Sequence, residues 1–290
     1  MDADLLHARL APWYAQHRRD LPWREPGFSA WGTLVSEIML QQTQVARVRT
    51  AIVEWLDRWP TPADLADAPT HEVLRAWGTL GYPRRALRLQ DAARAIVERH
   101  GGVVPDDVGA LLALPGIGDY TARAVAVFHF GQRHPVVDTN VRRVVARAVL
   151  GQGDAGPAAR ADLARVEALL PADVDEAGVV SIALMELGAL VCTARTPRCD
   201  ACPLLDDCAW VAAGRPPYDG RRAPRQASFA GSDRQARGTV LRALRGVDVP
   251  LTRGELAPLW PDPTQLQRAI ASLADDGLVV VEGDAVRLPH

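Results

Sequence analysis

The stretch that decides the fold is Leu114-Pro115-Gly116-Ile117-Gly118-Asp119-Tyr120-Thr121. Leu111, Leu112 and Leu114 close one helical pattern, and Pro115, Gly116 and Gly118 forbid its continuation. A second helix is predicted from Thr121 to Phe128, with Ala122, Val125, Ala126 and His129 at helical spacing. Two glycines permit a tight turn and bring bare N–H groups toward a partner. The helix that begins there presents the positive end of its dipole. Phosphate is the natural ligand of such a corner; an ordinary corner that binds nothing is the competing reading. Asp138 follows, in Val136-Val137-Asp138-Thr139-Asn140, ahead of a helix carrying Arg142, Arg143 and Arg147. By itself Asp138 serves equally as that helix's N-cap.

Upstream, residues 4–17 read as a helix with Leu5, Leu6, Leu10 and Trp13 on one face. The loop Leu21-Pro22-Trp23-Arg24-Glu25-Pro26-Gly27 stops it. A helix then runs from Ser29, its N-cap, through Leu40, with Trp31, Leu34, Val35 and Ile38 as its buried stripe. Glu37 sits beside that stripe, where a solvated flank carboxylate is the plain alternative. Gln41-Gln42-Thr43-Gln44 follows, a run of side chains able to hydrogen-bond bases or sugars, or simply a polar turn. Further helices are expected over 45–59 and from Pro62. A glycine-bearing bend, Trp77-Gly78-Thr79-Leu80-Gly81-Tyr82-Pro83, precedes a basic helix through Arg84, Arg85, Arg88 and Arg94.

Four cysteines, Cys192, Cys199, Cys202 and Cys208, fall within seventeen residues and none lies elsewhere, so they form one site. Their C-x6-C-x2-C-x5-C spacing admits zinc or a [4Fe–4S] cluster. The wide first gap fits the cluster better than paired zinc knuckles. Helices over 160–170 and 176–191 lead into it. Strand-like runs are nearly absent up to residue 210, so the region is all-α.

Residues 211–232 read as an Arg/Pro-rich linker. The last sixty residues show helices over 234–244, 253–259 and 263–274. Leu278-Val279-Val280-Val281 and Ala285-Val286-Arg287-Leu288 then flank a Glu282-Gly283-Asp284 turn. That order suggests a small winged-helix-like α+β domain. The expected divisions are 1–210, 211–232 and 233–290.

Net charge is −2, so charge distribution decides more than the total. Residues 84–147 carry ten Arg against six acids, and 215–245 eight against two, which makes basic zones in a balanced chain. Every basic residue is Arg; without Lys no lysine Schiff base can form. No run reaches the roughly 18 apolar residues of a membrane span. The Met-Asp-Ala-Asp start lacks a signal-peptide pattern, so no membrane association and a cytoplasmic, nucleoid-associated setting are expected.

Taken together, hairpin, Asp138, Glu37 and cysteines resemble the helix–hairpin–helix DNA glycosylases that carry a [4Fe–4S] cluster, the endonuclease III superfamily. The resemblance covers about residues 5–210 and is closer to the MutY family of adenine DNA glycosylases. It is carried by Leu21-Pro22-Trp23-Arg24, Ser36-Glu37-Ile38-Met39-Leu40-Gln41-Gln42-Thr43-Gln44-Val45, Leu80-Gly81-Tyr82, Leu114-Pro115-Gly116-Ile117-Gly118, Val137-Asp138-Thr139-Asn140-Val141 and Ala183-Leu184-Met185-Glu186-Leu187-Gly188-Ala189. Lyase-type members place a lysine two residues after the hairpin's last glycine; here Tyr120 stands there, which implies a monofunctional glycosylase.

The resemblance implies that Glu37 is the general acid that protonates adenine N7 and later activates water. Burial among Trp31, Leu34 and Ile38 would favour its protonated form. It implies that Asp138, ionised at a helix N-terminus, stabilises or traps the oxocarbenium cation, supported by Tyr120 and Asn140. Base flipping follows. Trp23 and Gln41 lie in matching motifs, Arg24 and Glu186 are candidates for the adenine pocket, and Gln42, Thr43 and Tyr82 match residues that fill the duplex and probe the opposite base. Gly116, Gly118 and the arginines of 84–94 and 142–147, Arg142 and Arg143 among them, would hold phosphates; about six such contacts make binding steeply salt-dependent. The partner is duplex DNA with an adenine mispair, met by a monomer.

Three features depart from the family pattern. Pro83 replaces a second tyrosine, Asp138-Thr139 replaces Asp-Gly, and no Nudix-like C-terminal domain is recognisable. Reading of 8-oxoguanine then falls to the small C-terminal domain with the Ser228–Arg237 segment, or specificity is relaxed. Competing functions are a glycosylase for T opposite G or an oxidised pyrimidine, and a non-catalytic DNA-binding iron–sulfur protein.

Overall fold

Apolar residues at helical spacing dominate residues 1–212, and helices are what they form. The computed structural model describes residues 1–221 and 228–290; part of the expected 211–232 linker lies outside the described residues. In chain order the helices are α1 (Ala3–His17), α2 (Ala30–Leu40), α3 (Val45–Arg58), α4 (Pro62–Asp67), α5 (Thr70–Trp77), α6 (Arg84–His100), α7 (Val108–Leu112), α8 (Asp119–Phe128), α9 (Thr139–Ala148), α10 (Ala161–Glu167), α11 (Val174–Leu190) and α12 (Ala209–Ala212). After them come α13 (Asp233–Arg245), β1 (Leu251–Thr252), α14 (Arg253–Leu256), α15 (Pro263–Asp275), β2 (Val280–Glu282) and β3 (Ala285–Arg287). None of the described helices is long and apolar enough to cross a membrane.

Capping residues set many of the starts. Asp2, Asp138, Asp173 and Ser232 each accept a backbone N–H of the helix that follows, and Thr61 forms a capping box with Asp64. At the other end of α6, Gly101 adopts φ +60° and stops the helix.

Two compact units result: Met1–Leu34 with Asp106–Leu112 and Gly118–Pro224, and Val35–Pro105 with Ala113–Ile117 and Arg225–His290. In the first, Leu6, Leu10 and Trp13 of α1 pack with Val141, Val144 and Val145 of α9 and with Val180, Leu184 and Leu187 of α11. Leu204 and Cys208 join the same core, so the cysteine loop is anchored on the α1–α9–α11 packing. Residues up to 221 are not free chain. Trp210 Nε1 donates to the Pro216 carbonyl at 2.8 Å, and Pro216 and Tyr218 lie against Gly153 and Gly156, because the two rings fill space beside the loop after α9.

The second unit buries Val48, Ile52, Val73, Leu74, Leu89 and Ile96, with Trp55 edge-on to both Trp59 and Trp77. Gln90, 1% exposed on α6, donates to the Leu65 and Ala68 carbonyls at the end of α4, so a buried amide satisfies two backbone acceptors.

The C-terminal segment has the helix–strand–helix–helix–strand–strand order of a winged helix. Its antiparallel sheet runs β1-β3-β2, with Val286 opposite both Leu251 and Val281. The hairpin was legible in the sequence. β1 was not, because two residues are too short for an alternation and are held as strand only by pairing with β3.

Candidate active site

In the second unit, Glu37 occupies the last turn of α2 and is 5% exposed, between Ser36 at 0% and Ile38 at 3%. α2 ends at Leu40, and the Ile38 and Met39 carbonyls there lack helical partners. Arg85 of α6 supplies them: its Nη1 donates to Ile38 O at 2.7 Å and Met39 O at 3.0 Å. Its Nη2 donates to Thr43 Oγ1 at 2.9 Å, Leu80 O at 3.2 Å and Gly81 O at 3.0 Å. Arg85 therefore joins the turn after α2 to the bend before α6. Burial lowers its pKa to about 10, which leaves it charged at neutral pH.

Each of the two joined loops holds a non-glycine residue in left-handed backbone, Gln42 at φ 57° and Tyr82 at φ 47°. Both side chains are exposed, Tyr82 by 43%. Strain of this kind persists only where surrounding contacts impose it. Gln41 is half-buried. Thr43, expected on DNA, is instead 9% exposed, with its hydroxyl donating to Leu80 O at 3.1 Å while it accepts from Arg85.

The hairpin turns at Leu114–Ile117, where Ile117 N–H donates to Leu114 O at 3.2 Å. Gly116 has φ +76°, and a Cβ there would lie 2.8 Å from Arg88 Cβ on α6, so only glycine fits. Gly118 is the N-cap of α8, is exposed, and supplies no capping side chain. The first-turn amides of α8 thus open past a bare glycine, the arrangement an oxyanion needs.

In the first unit, Asp138 caps α9 and both of its oxygens accept hydrogen bonds. Val141 N–H reaches Oδ1 and Asn140 Nδ2 reaches Oδ2, each at 2.7 Å. Burial raises the Asp138 pKa, and the two donors oppose that shift without cancelling it. The expected ionised carboxylate is therefore held against a desolvation cost. Asn140 Oδ1 in turn accepts from Arg143 Nη2 at 2.7 Å, and Arg143 also donates to the Cys192 and Gly188 carbonyls. Gly188 permits this approach of α11 to α9, since a Cβ there would lie 2.6 Å from Asn140 Cβ. Tyr120, half-buried on α8, points its hydroxyl at Met185 Sδ, 3.9 Å away. Trp23 is half-buried in the turn Pro22–Arg24.

Four of the expected site residues, Arg24, Arg142, Arg143 and Glu186, have hydrogen-bond partners within the fold. Glu186, expected in a base pocket, is 0% exposed and takes both guanidinium groups of Arg19 and Arg24 at 2.7–3.1 Å, plus the Arg19 N–H at 2.8 Å. Burial alone would raise its pKa, but these donors overcome it and hold the carboxyl at about 2. Glu186 and Arg24 therefore satisfy one another, with Arg24 also 5.7 Å from the Tyr14 ring. Arg142, expected on phosphate, pairs with Asp162 at 2.7 Å and donates to the Ala155, Gly156 and Pro157 carbonyls. Arg143 is turned inward as described. Arg19 and Arg85 are structural ties that no local sequence motif singles out. The signal for Arg85 was its place on the buried stripe shared by Leu89 and Ile96.

None of the four cysteines is in a disulfide. They line a recess with Val191, Pro197, Leu205, Trp210 and Val211. Arg147, 5% exposed, donates to Cys192 Sγ at 3.4 Å and to the Thr193 and Ala194 carbonyls, and stacks 4.8 Å from Trp210. Burial, with the neighbouring thiols, pushes Cys202 up to about 11, a penalty that iron coordination would relieve. Among the described residues no group of three or more ligating side chains could hold a single metal ion. Four thiols lining one recess are the donor set of a [4Fe–4S] cube, with one cysteine per iron. Bound there, the cluster cross-links residues 192–208.

The match to known proteins agrees with this geometry. Residues 35–167 match the HhH-GPD superfamily of base excision DNA repair proteins, and residues 192–208 match the iron–sulfur binding domain of endonuclease III. The structure superposes on a thermostable thymine-DNA glycosylase with a TM-score of 0.66 at 27% identity, covering 73% of this chain and 97% of that one. An adenine DNA glycosylase of Mycobacterium tuberculosis (strain CDC 1551 / Oshkosh) is 58% identical over 93% of this chain and 88% of the relative. One from Mycolicibacterium smegmatis is 56% identical over 95% and 92%. At that identity and coverage the chain is a DNA-repair enzyme with a [4Fe–4S] cluster, and it belongs to the adenine DNA glycosylase family.

Proposed function

We propose that this protein excises adenine mispaired with 8-oxoguanine or guanine from duplex DNA, acting as a monomer in the cytoplasm on the nucleoid. Support for adenine as the released base is the 58% identity to a relative of that name. Support for the chemistry is Asp138, a carboxylate with both oxygens held by donors at 2.7 Å in a chain without lysine.

In this reading adenine is flipped out of the stack and Glu37 protonates N7, which turns a poor leaving group into a neutral one. Asp138 stabilises the sugar cation as the N-glycosidic bond breaks, and Asn140 keeps that carboxylate oriented. Tyr120 supports the transition state. Water completes hydrolysis, because no lysine exists to form a Schiff base. The first-turn amides of α8 past Gly116 and Gly118 hold phosphate, and Gln42 and Tyr82 enter the duplex. Trp23 and Gln41 line the DNA side. Arg142, Arg143, Arg24, Glu186 and Thr43 act one step back, by positioning the elements that touch DNA. Catalysis falls to residues 1–210, with 233–290 as an accessory domain.

The test is base release from duplexes carrying A:8-oxoG, A:G, T:G and thymine glycol. Adenine release, strongest opposite 8-oxoguanine, is expected; no adenine release from any duplex refutes the reading. Thymine release from T:G is the second reading, favoured by the likeness to a thymine-DNA glycosylase at 27% identity. Glu37→Gln separates both from a non-catalytic binding protein: turnover should vanish while DNA affinity stays.

A further inference from the structure

Four successive carbonyls of the bend before α6 are each gripped by a side chain from a different part of the second unit. Gly78 O accepts from Arg245 Nη1 at 2.5 Å, Thr79 O from Arg47, and Leu80 O from Thr43 and Arg85. Gly81 O accepts from Trp77 Nε1 at 2.9 Å and from Arg85. The next carbonyl, of Tyr82, accepts the Arg85 N–H at 3.0 Å. Tyr82 follows this grip in left-handed backbone, φ 47°, with its ring 43% exposed. A residue with a Cβ stays in that conformation only when its neighbours are fixed.

Arg245 is the last residue of α13, so one of the four grips comes from the C-terminal domain. Its target is unusual too: Gly78 caps α5 at φ 51°, ψ −120°, a conformation reserved to glycine. Arg75 of α5 reaches back to Val247 O and pairs with Asp248 at 2.8 Å, and Arg84 pairs with Asp276 at 3.1 Å. Gly277 brings the chain after α15 close to Leu87, whose Cδ1 would lie 3.9 Å from a Cβ placed there. The C-terminal domain is thus docked on the two helices that flank the bend, and Arg245 makes a hydrogen bond from it to the bend itself.

We infer that Arg245 is a positioning residue for Tyr82: by holding the Gly78 carbonyl it fixes the bend from which Tyr82 is presented to the base opposite the excised one. The inference rests on the proposed excision reaction. Duplex bases are stacked and offer little to a misdirected ring, so loosening Gly78 should blunt discrimination more than chemistry.

The experiment measures single-turnover release of adenine opposite 8-oxoguanine and opposite guanine, and takes the ratio. Arg245→Met should lower that ratio about tenfold, the scale on which misplaced positioning groups act. Asp248→Asn, which breaks a docking ion pair without touching the bend, should leave it unchanged. Arg245→Lys, which keeps one donor, should recover part of the ratio and covers the case in which the methionine variant fails to fold. Amide exchange at Leu80 and Tyr82 should quicken in Arg245→Met. A ratio unchanged in folded Arg245→Met, or lowered equally by Asp248→Asn, overturns the inference. If the wild-type chain released no adenine, the excision reading would fall by itself; the ratio would then be taken on the released base, and unchanged exchange at the bend would overturn the bracing.

Discussion

Asn140 Nδ2 donates to Asp138 Oδ2 at 2.7 Å, and Val141 N–H holds the other oxygen. Burial raises the Asp138 pKa, so each donor that favours the ionised form keeps the carboxylate working at neutral pH. Removing one donor shifts the pKa further up. Asn140→Ala should therefore move the acid limb of the pH–rate profile to higher pH and slow adenine release at pH 7. A lost charge-assisted hydrogen bond is worth about 1.5–3 kcal/mol, or roughly ten- to a hundredfold in rate. An unmoved acid limb would contradict this role.

Glu186 carries the opposite sign. Its folded pKa of about 2 lies below the ordinary value of 4.5, so its stabilisation is present above pH 4.5 and disappears as pH falls through about 2. Glu186→Gln leaves the Arg19 and Arg24 guanidinium groups facing a neutral amide. We expect a loss of about 3 kcal/mol at pH 7, the low end for a broken buried pair because Arg19 is itself 31% exposed. Urea denaturation at pH 7 and pH 3 should show the gap between variant and wild type narrowing at the lower pH.

The two hairpin glycines should behave differently. Gly116→Ala forces a Cβ to 2.8 Å from Arg88 Cβ at φ +76°, and neither atom can swing away. It should destabilise the protein by about 1–3 kcal/mol. Around Gly118 no heavy atom lies within 4 Å of the place a methyl group would take, so Gly118→Ala should melt like the wild type. The added methyl would stand on the exposed face that the hairpin is proposed to turn toward phosphate, so DNA affinity at fixed salt should fall. Equal melting and equal affinity for both variants would count against the hairpin's phosphate role.

Iron content checks the cysteine recess. Anaerobically purified protein should be yellow-brown and carry about four irons per chain. Because Leu204 and Cys208 belong to the α1–α9–α11 core, stripping the iron should also lower the melting temperature and expose residues 192–208 to protease. Colourless, zinc-loaded protein would refute the cluster geometry.

Much of the candidate site was legible because it depends on short-range pattern. The hairpin glycines, the Asp138 cap and the cysteine spacing are local arrangements, and each survives in the structure at the same residues. The arginines were not legible in this way. Arg85, Arg142 and Arg143 have the same sequence surroundings as phosphate-binding arginines, and a guanidinium finds a carbonyl or a phosphate equally acceptable. Packing gives each of the three a backbone carbonyl as partner.

The amino-acid sequence by itself determined the helical class, the hairpin, the four-thiol site and the exclusion of lysine chemistry, since residue type and spacing suffice for these. Tertiary structure alone decided that Glu186 is neutralised by Arg19 and Arg24, 167 and 162 residues away in sequence. It also decided that Arg245 of the C-terminal domain grips Gly78, 167 residues before it. The physical reason is common to both: a charge's partner is chosen by which burial leaves it no water, and burial is a property of the folded chain.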